Sequence, residues 1–408
     1  MSFSISSFSI LTIEIITAPD IHMEYTAFSK YLKLVVRVSS FLLIAVASVN
    51  YTIDPSAIYK SPLSYIHESP LLKAEGHKKF ESDNHYTLEL SFINQLVNSD
   101  HGLSFPTGFN ERRFKHTLAL YPTTAECAVI GSSHVMQLSS ARQQKSLTHT
   151  CLSILNLGVS GASLEDYIAL SEIILQNKRP PETIIFGIDP WALNFLRDKR
   201  YLQYSLEYEN MLSKLVTAQS DSYGDDLFDT SLLRNLFNRE YFMESVRYIL
   251  SQFKEELPKE ELPKEELPKY RNVYLSDGSL IYSKEYSKKM QNYKMNGVDT
   301  YKIEEHHYYE KKAIELFTRL VLHLQQKHNV IFLLTPYHPA VWKLGDQPVV
   351  KAMKLVESKV HLIAKSVRGQ VIGSYNPNRI GCNADEFFDE QHPAATCLAK
   401  LETISSQY

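Results

Sequence analysis

The 408-residue chain has only four cysteines, Cys127, Cys151, Cys382 and Cys397, and no two form a C-x-x-C pair. That spacing argues against a structural zinc site. An even count is compatible with disulfides in an exported protein, though sequence gives no pairing, and buried free thiols fit equally well. There is no excess of positive charge: 43 Lys and Arg stand against 46 Asp and Glu, a formal net charge of −3. Nothing there argues for nucleic acid as the main partner. The adjacent His306 and His307 in "EEHHYYEKK" cannot share one helix face, so they read as a solvated helix start and not as a metal site. No cofactor motif is found. A multi-span apolar region is also missing, so the chain offers no transporter of its own.

What is present is an ordinary globular composition, 44% hydrophobic and 22% charged, enough for a substantial core. The 25 Tyr and 19 Phe suit sugar binding and interfaces, and equally suit half-buried packing. One apolar stretch stands out near the N-terminus. "KYLKLVVRVSSFLLIAVASVNYTIDP" carries Lys30, Lys33 and Arg37, then no charge until Asp54. If Lys33 and Arg37 snorkel, the helix is long enough to span a bilayer. The basic flank puts its N-terminal side in the cytoplasm and the rest outside. A cleaved signal peptide is the rival, because Ala45-Val46-Ala47 has the small-x-small form of a cleavage site. Residues 1–22 fit no targeting pattern, and Met23 makes a more natural start for an export signal. The expected division is therefore an extension at 1–33, a transmembrane or signal segment at 34–51, a lead-in of loops and helices at 52–124, and an α/β domain at 125–408.

Within that domain short apolar runs alternate with helical patterns. "ECAVIG" (126–131), "CLSILNLG" (151–158), "TIIFGI" (183–188), "VIFLLT" (330–335) and the weaker "GQVIGS" (369–374) predict strands. Residues 164–178 and 310–329 have apolar residues at helical spacing, and a last helix is expected at 393–404, with Pro393 at its first position. This alternation predicts a parallel sheet with helices on both faces: a three-layer α/β/α sandwich with a flavodoxin-like sheet. An insertion at about 192–305 holds "KEELPKEELPKEELPK" (254–269), three copies of a five-residue unit. Proline at every fifth position forbids a continuous helix, so it reads as a solvated spacer.

In such a sheet chemistry gathers beyond the carboxyl ends of the strands. Four segments fall there: Gly131-Ser132-Ser133-His134, Asn156-Leu157-Gly158-Val159-Ser160-Gly161, Gly187-Ile188-Asp189-Pro190-Trp191, and Asp389-Glu390-Gln391-His392 just before the last predicted helix. A serine hydroxyl needs an adjacent base, and His392 can supply one. Asp389, three residues earlier, can reach the other ring nitrogen. An oxyanion needs preorganised donors, and the backbone N–H groups of Ser133 and Gly161 can provide two. Taken singly, each segment is also a plain turn, a helix cap or a packing site. Tyr337, His338 and Trp342 in "LLTPYHPAVW" would stand at the site edge, where they either stack on a sugar or pack the loop.

In joint order the four segments resemble the SGNH (GDSL-type) hydrolase superfamily. The resemblance covers about residues 125–192 and 330–404 and leaves the insertion and the N-terminal region outside. It implies Ser133 as nucleophile, Gly161 as oxyanion glycine and the Asp389–His392 dyad. Two positions depart from the family pattern: Ser132 stands for the usual aspartate, and Asp189 for the oxyanion asparagine. An anionic Asp189 would repel an oxyanion, which leaves Trp191 as a substitute donor through its indole N–H, or a site with two donors, or an inactive one. With its membrane segment the chain resembles, more loosely, bacterial surface-polysaccharide acylation proteins, such as alginate O-acetyltransferase components and the D-alanyl transfer protein of teichoic acids. That likeness implies an exported serine esterase or O-acyltransferase acting on acyl esters of a cell-surface glycan. Its partners would be an acylated glycan or acyl donor, the membrane, and proteins of a surface-polymer pathway. Two rivals are an inactive glycan-binding or assembly protein on the same scaffold, and a flavodoxin-like phosphate binder, which would have no need of the D-x-x-H.

Overall fold

The computed structural model describes residues 20–53, 87–105, 110–195, 199–216, 271–286 and 309–401, apart from 123, 143–144, 344 and 346–347, with a few single positions between 237 and 246. The extension before residue 20, the lead-in at 54–86, the repeat at 254–269 and the His306–His307 pair lie outside the described residues.

Helix α1 (Asp20–Ile53) contains the apolar stretch. Its segment Ser29–Ile53 has 25 residues and a mean hydropathy of 2.0, and its most apolar window is not buried against the rest of the chain. By length and composition it is able to cross a membrane, which fits either an anchor or a signal sequence.

Downstream come α2 (Thr87–Val97), β1 (Leu103–Ser104) and α3 (Glu111–Leu120), then β2 (Cys127–Ile130), β3 (Ile154–Asn156), α4 (Leu164–Gln176), β4 (Thr183–Gly187) and α5 (Ser205–Leu215). The chain continues through β5 (Val273–Tyr274), β6 (Leu280–Ile281), α6 (Lys311–Leu324), β7 (Asn329–Leu334), α7 (Pro348–Ser366) and β8 (Gln370–Gly373). The five predicted strands form one sheet in the order β3-β2-β4-β7-β8, parallel throughout. The fold is mixed α/β.

The strand sequences are nearly all apolar because both faces of the sheet are covered. Ala128, Ile130, Ile184, Phe186, Phe332 and Leu334 enter one core, with Ile168 of α4, Phe317 of α6 and Val356 of α7. The alternate residues Cys127, Val129, Ile185, Ile331, Leu333 and Ile372 enter a second, smaller core. That second face is closed by Val135, Leu138 and Leu147 from the β2–β3 connection and by Leu398 and Leu401. Thus α4, α6 and α7 serve one face, while the other is covered by a connection without a long helix and by short C-terminal turns.

One expectation needs correction, and one element is unpredicted. Within the described residues up to 401, the helix predicted at 393–404 is only the turn Ala395–Leu398. Pro393 instead makes an isolated bridge with Phe387, and Phe388 N–H donates to His392 O at 2.9 Å, so the chain folds back before it can coil. The 19-residue α7 is a finding without a prediction, although Met353, Val356, Val360 and Ala364 carry its buried stripe.

Part of the insertion outside the repeat is built into the domain. Its β5–β6 hairpin pairs antiparallel with β1 and docks on the main sheet. Leu280 N–H donates to Met136 O at 2.7 Å, and Asn156 N–H to Asp277 O at 2.7 Å. The buried Lys115 ammonium donates to Asn156 O at 2.8 Å and Gly278 O at 2.6 Å, joining α3, β3 and the hairpin. Burial pushes the Lys115 pKa down to about 8. All four cysteines are paired, Cys127 with Cys151 and Cys382 with Cys397.

Candidate active site

β2 stops at Ile130 because Gly131 and a capped turn follow it. The Ser132 side chain accepts from His134 N–H at 3.2 Å and starts a 3₁₀ turn over Ser133–Val135. Val135 fills the space between the ends of three strands. A Cβ at Gly131, Gly158 or Gly187 would collide with it, so glycine lets these strand ends converge. Ser133, first in the turn, is thereby held at the carboxyl edge of the sheet with its N–H unpartnered among the described residues.

The opposite partner arrives 259 residues later. Ser133 Oγ lies 2.8 Å from His392 Nε2. His392 Nδ1 lies 2.7 Å from Asp389 Oδ2. Asp389 Oδ1 in turn accepts the backbone N–H groups of Gln391 and His392, each at 2.8 Å. Burial pushes the Asp389 carboxyl up, but the His392 contact and these two N–H donors outweigh it and hold it at about 2. An ionised Asp389 fixes the tautomer with the proton on Nδ1, leaving Nε2 to accept from the Ser133 hydroxyl.

The loop carrying Gly161 runs beside this turn, since Val159 N–H donates to Gly131 O at 3.0 Å. Asn156 organises it: Oδ1 accepts Gly158 N–H at 2.9 Å, and Nδ2 donates to Val135 O and Leu138 O. Helix α3 clamps its far side. Glu111 accepts Ser160 N–H at 2.6 Å, and Arg112 donates to Ser160 O at 3.3 Å. Arg112 is itself fixed by two 2.9 Å bonds to Asp166, which caps α4 together with Ser163. Gly161 takes a φ of +61°, a left-handed conformation that disfavours side chains. Its N–H, like that of Ser133, has no partner among the described residues.

The remaining predicted residues are otherwise occupied. Asp189 is buried against His134, with Oδ1 2.8 Å from Nδ1. Trp191 is buried, and its indole N–H donates to Ala162 O at 3.1 Å, so it is committed to packing and not free for an oxyanion. Tyr337 is buried with its ring 5.2 Å from that of His134. His338 is half-buried, caps the turn Pro339–Trp342 through Ala340 N–H, and has its pKa lowered by burial.

Four contributing residues are not legible as such in the sequence. His134 lies in the Gly131–His134 motif, but its local context assigns it no role. Tyr282 comes from the insertion hairpin, with its ring 6.1 Å from His392 and 4.8 Å from Phe388. Glu111 and Arg112 lie in the lead-in, where periodicity is weak and nothing local signals a partner about fifty residues away. Among the described residues no cluster of three or more His, Cys, Asp or Glu side chains is assembled to hold a metal ion.

Neither protein-family models nor curated proteins give a match to this chain, so the geometry of the site carries the functional argument.

Proposed function

We propose that the chain is a serine esterase or O-acyltransferase of SGNH (GDSL-type) character, acting on acyl esters of a cell-surface glycan. The single observation that supports this most is the continuous chain of contacts Ser133 Oγ–His392 Nε2 at 2.8 Å and His392 Nδ1–Asp389 Oδ2 at 2.7 Å. A hydroxyl, an imidazole and a carboxylate in that order form an activated nucleophile.

The chemistry follows from the atoms. Ser133 Oγ attacks the acyl carbonyl while His392 Nε2 takes the hydroxyl proton. Asp389 stabilises the imidazolium through Nδ1. The N–H groups of Ser133 and Gly161 receive the oxyanion. The tetrahedral intermediate collapses, His392 returns the proton to the leaving alcohol, and an acyl-serine remains. Water as second acceptor completes an esterase cycle, and a sugar hydroxyl completes a transfer. Asp189 and Trp191 take no part as donors, so two backbone N–H groups do this work.

The finer architecture belongs to the same proposal. The strand order puts the second chain strand outside the first and the others on its far side, as in flavodoxin-like sheets. The two covered faces then make a three-layer α/β/α arrangement in which one outer layer is thin. The catalytic domain is placed outside the cytoplasm behind a single membrane pass at α1. Lys30, Lys33 and Arg37 on the N-terminal side support that orientation. Two disulfides fit an oxidising compartment. Release after signal cleavage leaves the domain on the same side.

The test is labelling of the full-length chain by a fluorophosphonate serine probe, with Ser133→Ala and His392→Ala for comparison. Labelling of wild type that vanishes in both variants is expected. A folded wild type that stays unlabelled, and instead binds acylated glycan, would favour the non-catalytic binding or assembly protein. The loss of Asp189 and Trp191 as oxyanion donors is the feature that speaks for that second reading.

A further inference from the structure

We propose that His134 and Asp189 form a buried positioning pair that holds the His392 ring in the orientation Ser133 requires. The inference rests on the serine-hydrolase reading of the site, and it assigns the residue that replaces the expected asparagine.

The geometry is specific. His134 follows Ser133 in the same 3₁₀ turn, so its ring is fixed relative to the nucleophile. The ring is 1% exposed. It meets the His392 ring edge to face, with centroids 5.1 Å apart and planes at 84°. Trp191 at 5.5 Å and Tyr337 at 5.2 Å close two further sides, also edge to face. Asp189 stands behind, with Oδ1 2.8 Å from Nδ1, an ion pair when the imidazole is protonated. One imidazole therefore touches the turn that carries the nucleophile and the loop that carries the base.

Two consequences follow. His392 is held in the site by Ser133 and Asp389, which act on its ring nitrogens, while His134 blocks the ring from tilting away. Asp189 also has a partner where it stands, which balances its charge when His134 is protonated. An unpaired buried carboxylate there would oppose the developing oxyanion, and the pairing explains how a serine site tolerates aspartate at this position. The charged and titratable groups that face His392 are Asp389 and Glu390 from its own loop, His134 from the Ser133 turn with Asp189 behind it, and Tyr282 from the insertion hairpin.

The experiment uses full-length protein in detergent micelles, as wild type, His134→Ala, and the near-isosteric Asp189→Asn in case the first variant does not fold. Two readouts are taken. The first is the rate of fluorophosphonate labelling across pH. The second is the low-field proton resonance of the His392 Nδ1–H held by Asp389, identified by its loss in His392→Gln. We expect labelling to fall about 10²-fold in His134→Ala and less in Asp189→Asn, with the pH profile displaced and the resonance shifted or broadened in both. A resonance and a labelling profile equal to wild type in a folded variant would overturn the pair. If wild type is never labelled but the resonance moves in the variants, the pair stands and the hydrolase reading falls.

Discussion

At the scale of single residues, Asp389 is the most constrained group in the site. Three hydrogen bonds hold its carboxyl at about 2, so it remains ionised through the physiological range. Asp389→Asn keeps the shape but favours the wrong tautomer of His392, and should lower labelling of Ser133 by about 10⁴-fold. His134 titrates in the other direction. Burial lowers its pKa, but the charge and contact of Asp189 outweigh this and raise it above the ordinary value. A raised folded-state pKa contributes stability that is complete below the unfolded value, about 6.5, and is lost as pH rises through the folded one. Melting of wild type at about pH 5.5 and about pH 8.5 should show that loss, while Asp189→Asn should show less of it. Parallel pH slopes for the two proteins would contradict the pairing.

At the scale of elements, each half of the triad lies inside a disulfide-closed loop. Cys127–Cys151 spans 24 positions around Ser133, and Cys382–Cys397 spans 15 around Asp389 and His392. These are also the segments without long helices, so cross-links replace regular structure in limiting their freedom. Closing loops of this length restricts the unfolded chain by about 3 kcal/mol each. Replacing Cys382 and Cys397 with alanine should lower the unfolding free energy by about that amount in denaturant titrations. It should also slow labelling of Ser133, because His392 loses its tether. Unchanged labelling in the folded variant would mean that local hydrogen bonds alone hold the loop. Helix α3 serves the third part of the site in another way, through the buried Arg112–Asp166 pair and the Glu111 contact to Ser160.

At the scale of the whole molecule, α1 is set off by an apolar window that is not buried against the rest of the chain. Phe41 and Ile44 are among many large apolar side chains that it leaves exposed, 72% and 64% respectively. Contiguous apolar surface of that kind is unfavourable in water and is satisfied in a bilayer. With the proposed orientation, alkaline phosphatase fused after residue 401 should be active in a bacterial host, and the same fusion should be inactive when the positive charges are moved to the other side of α1. Activity that is indifferent to the charges would argue against orientation by the positive flank.

The strands and two of the larger helices are legible in the sequence, because burial on both faces leaves an apolar run and burial on one leaves a helical stripe. Ser133, Gly161, Asp389 and His392 stand out there as candidates, since motif spacing and expected strand ends single them out. The stripe of α7, Met353, Val356, Val360 and Ala364, is also a legible helical spacing. How these residues meet depends on tertiary packing. That Ser133 and His392 touch across 259 positions, that the cysteines pair as they do, that Asp189 faces His134 and Trp191 serves Ala162, and that the insertion returns Tyr282 to the site are all contacts between distant segments. Local propensity and periodicity report what a residue needs from its neighbours in the chain. A partner far along the chain is chosen by packing, and packing leaves no local mark.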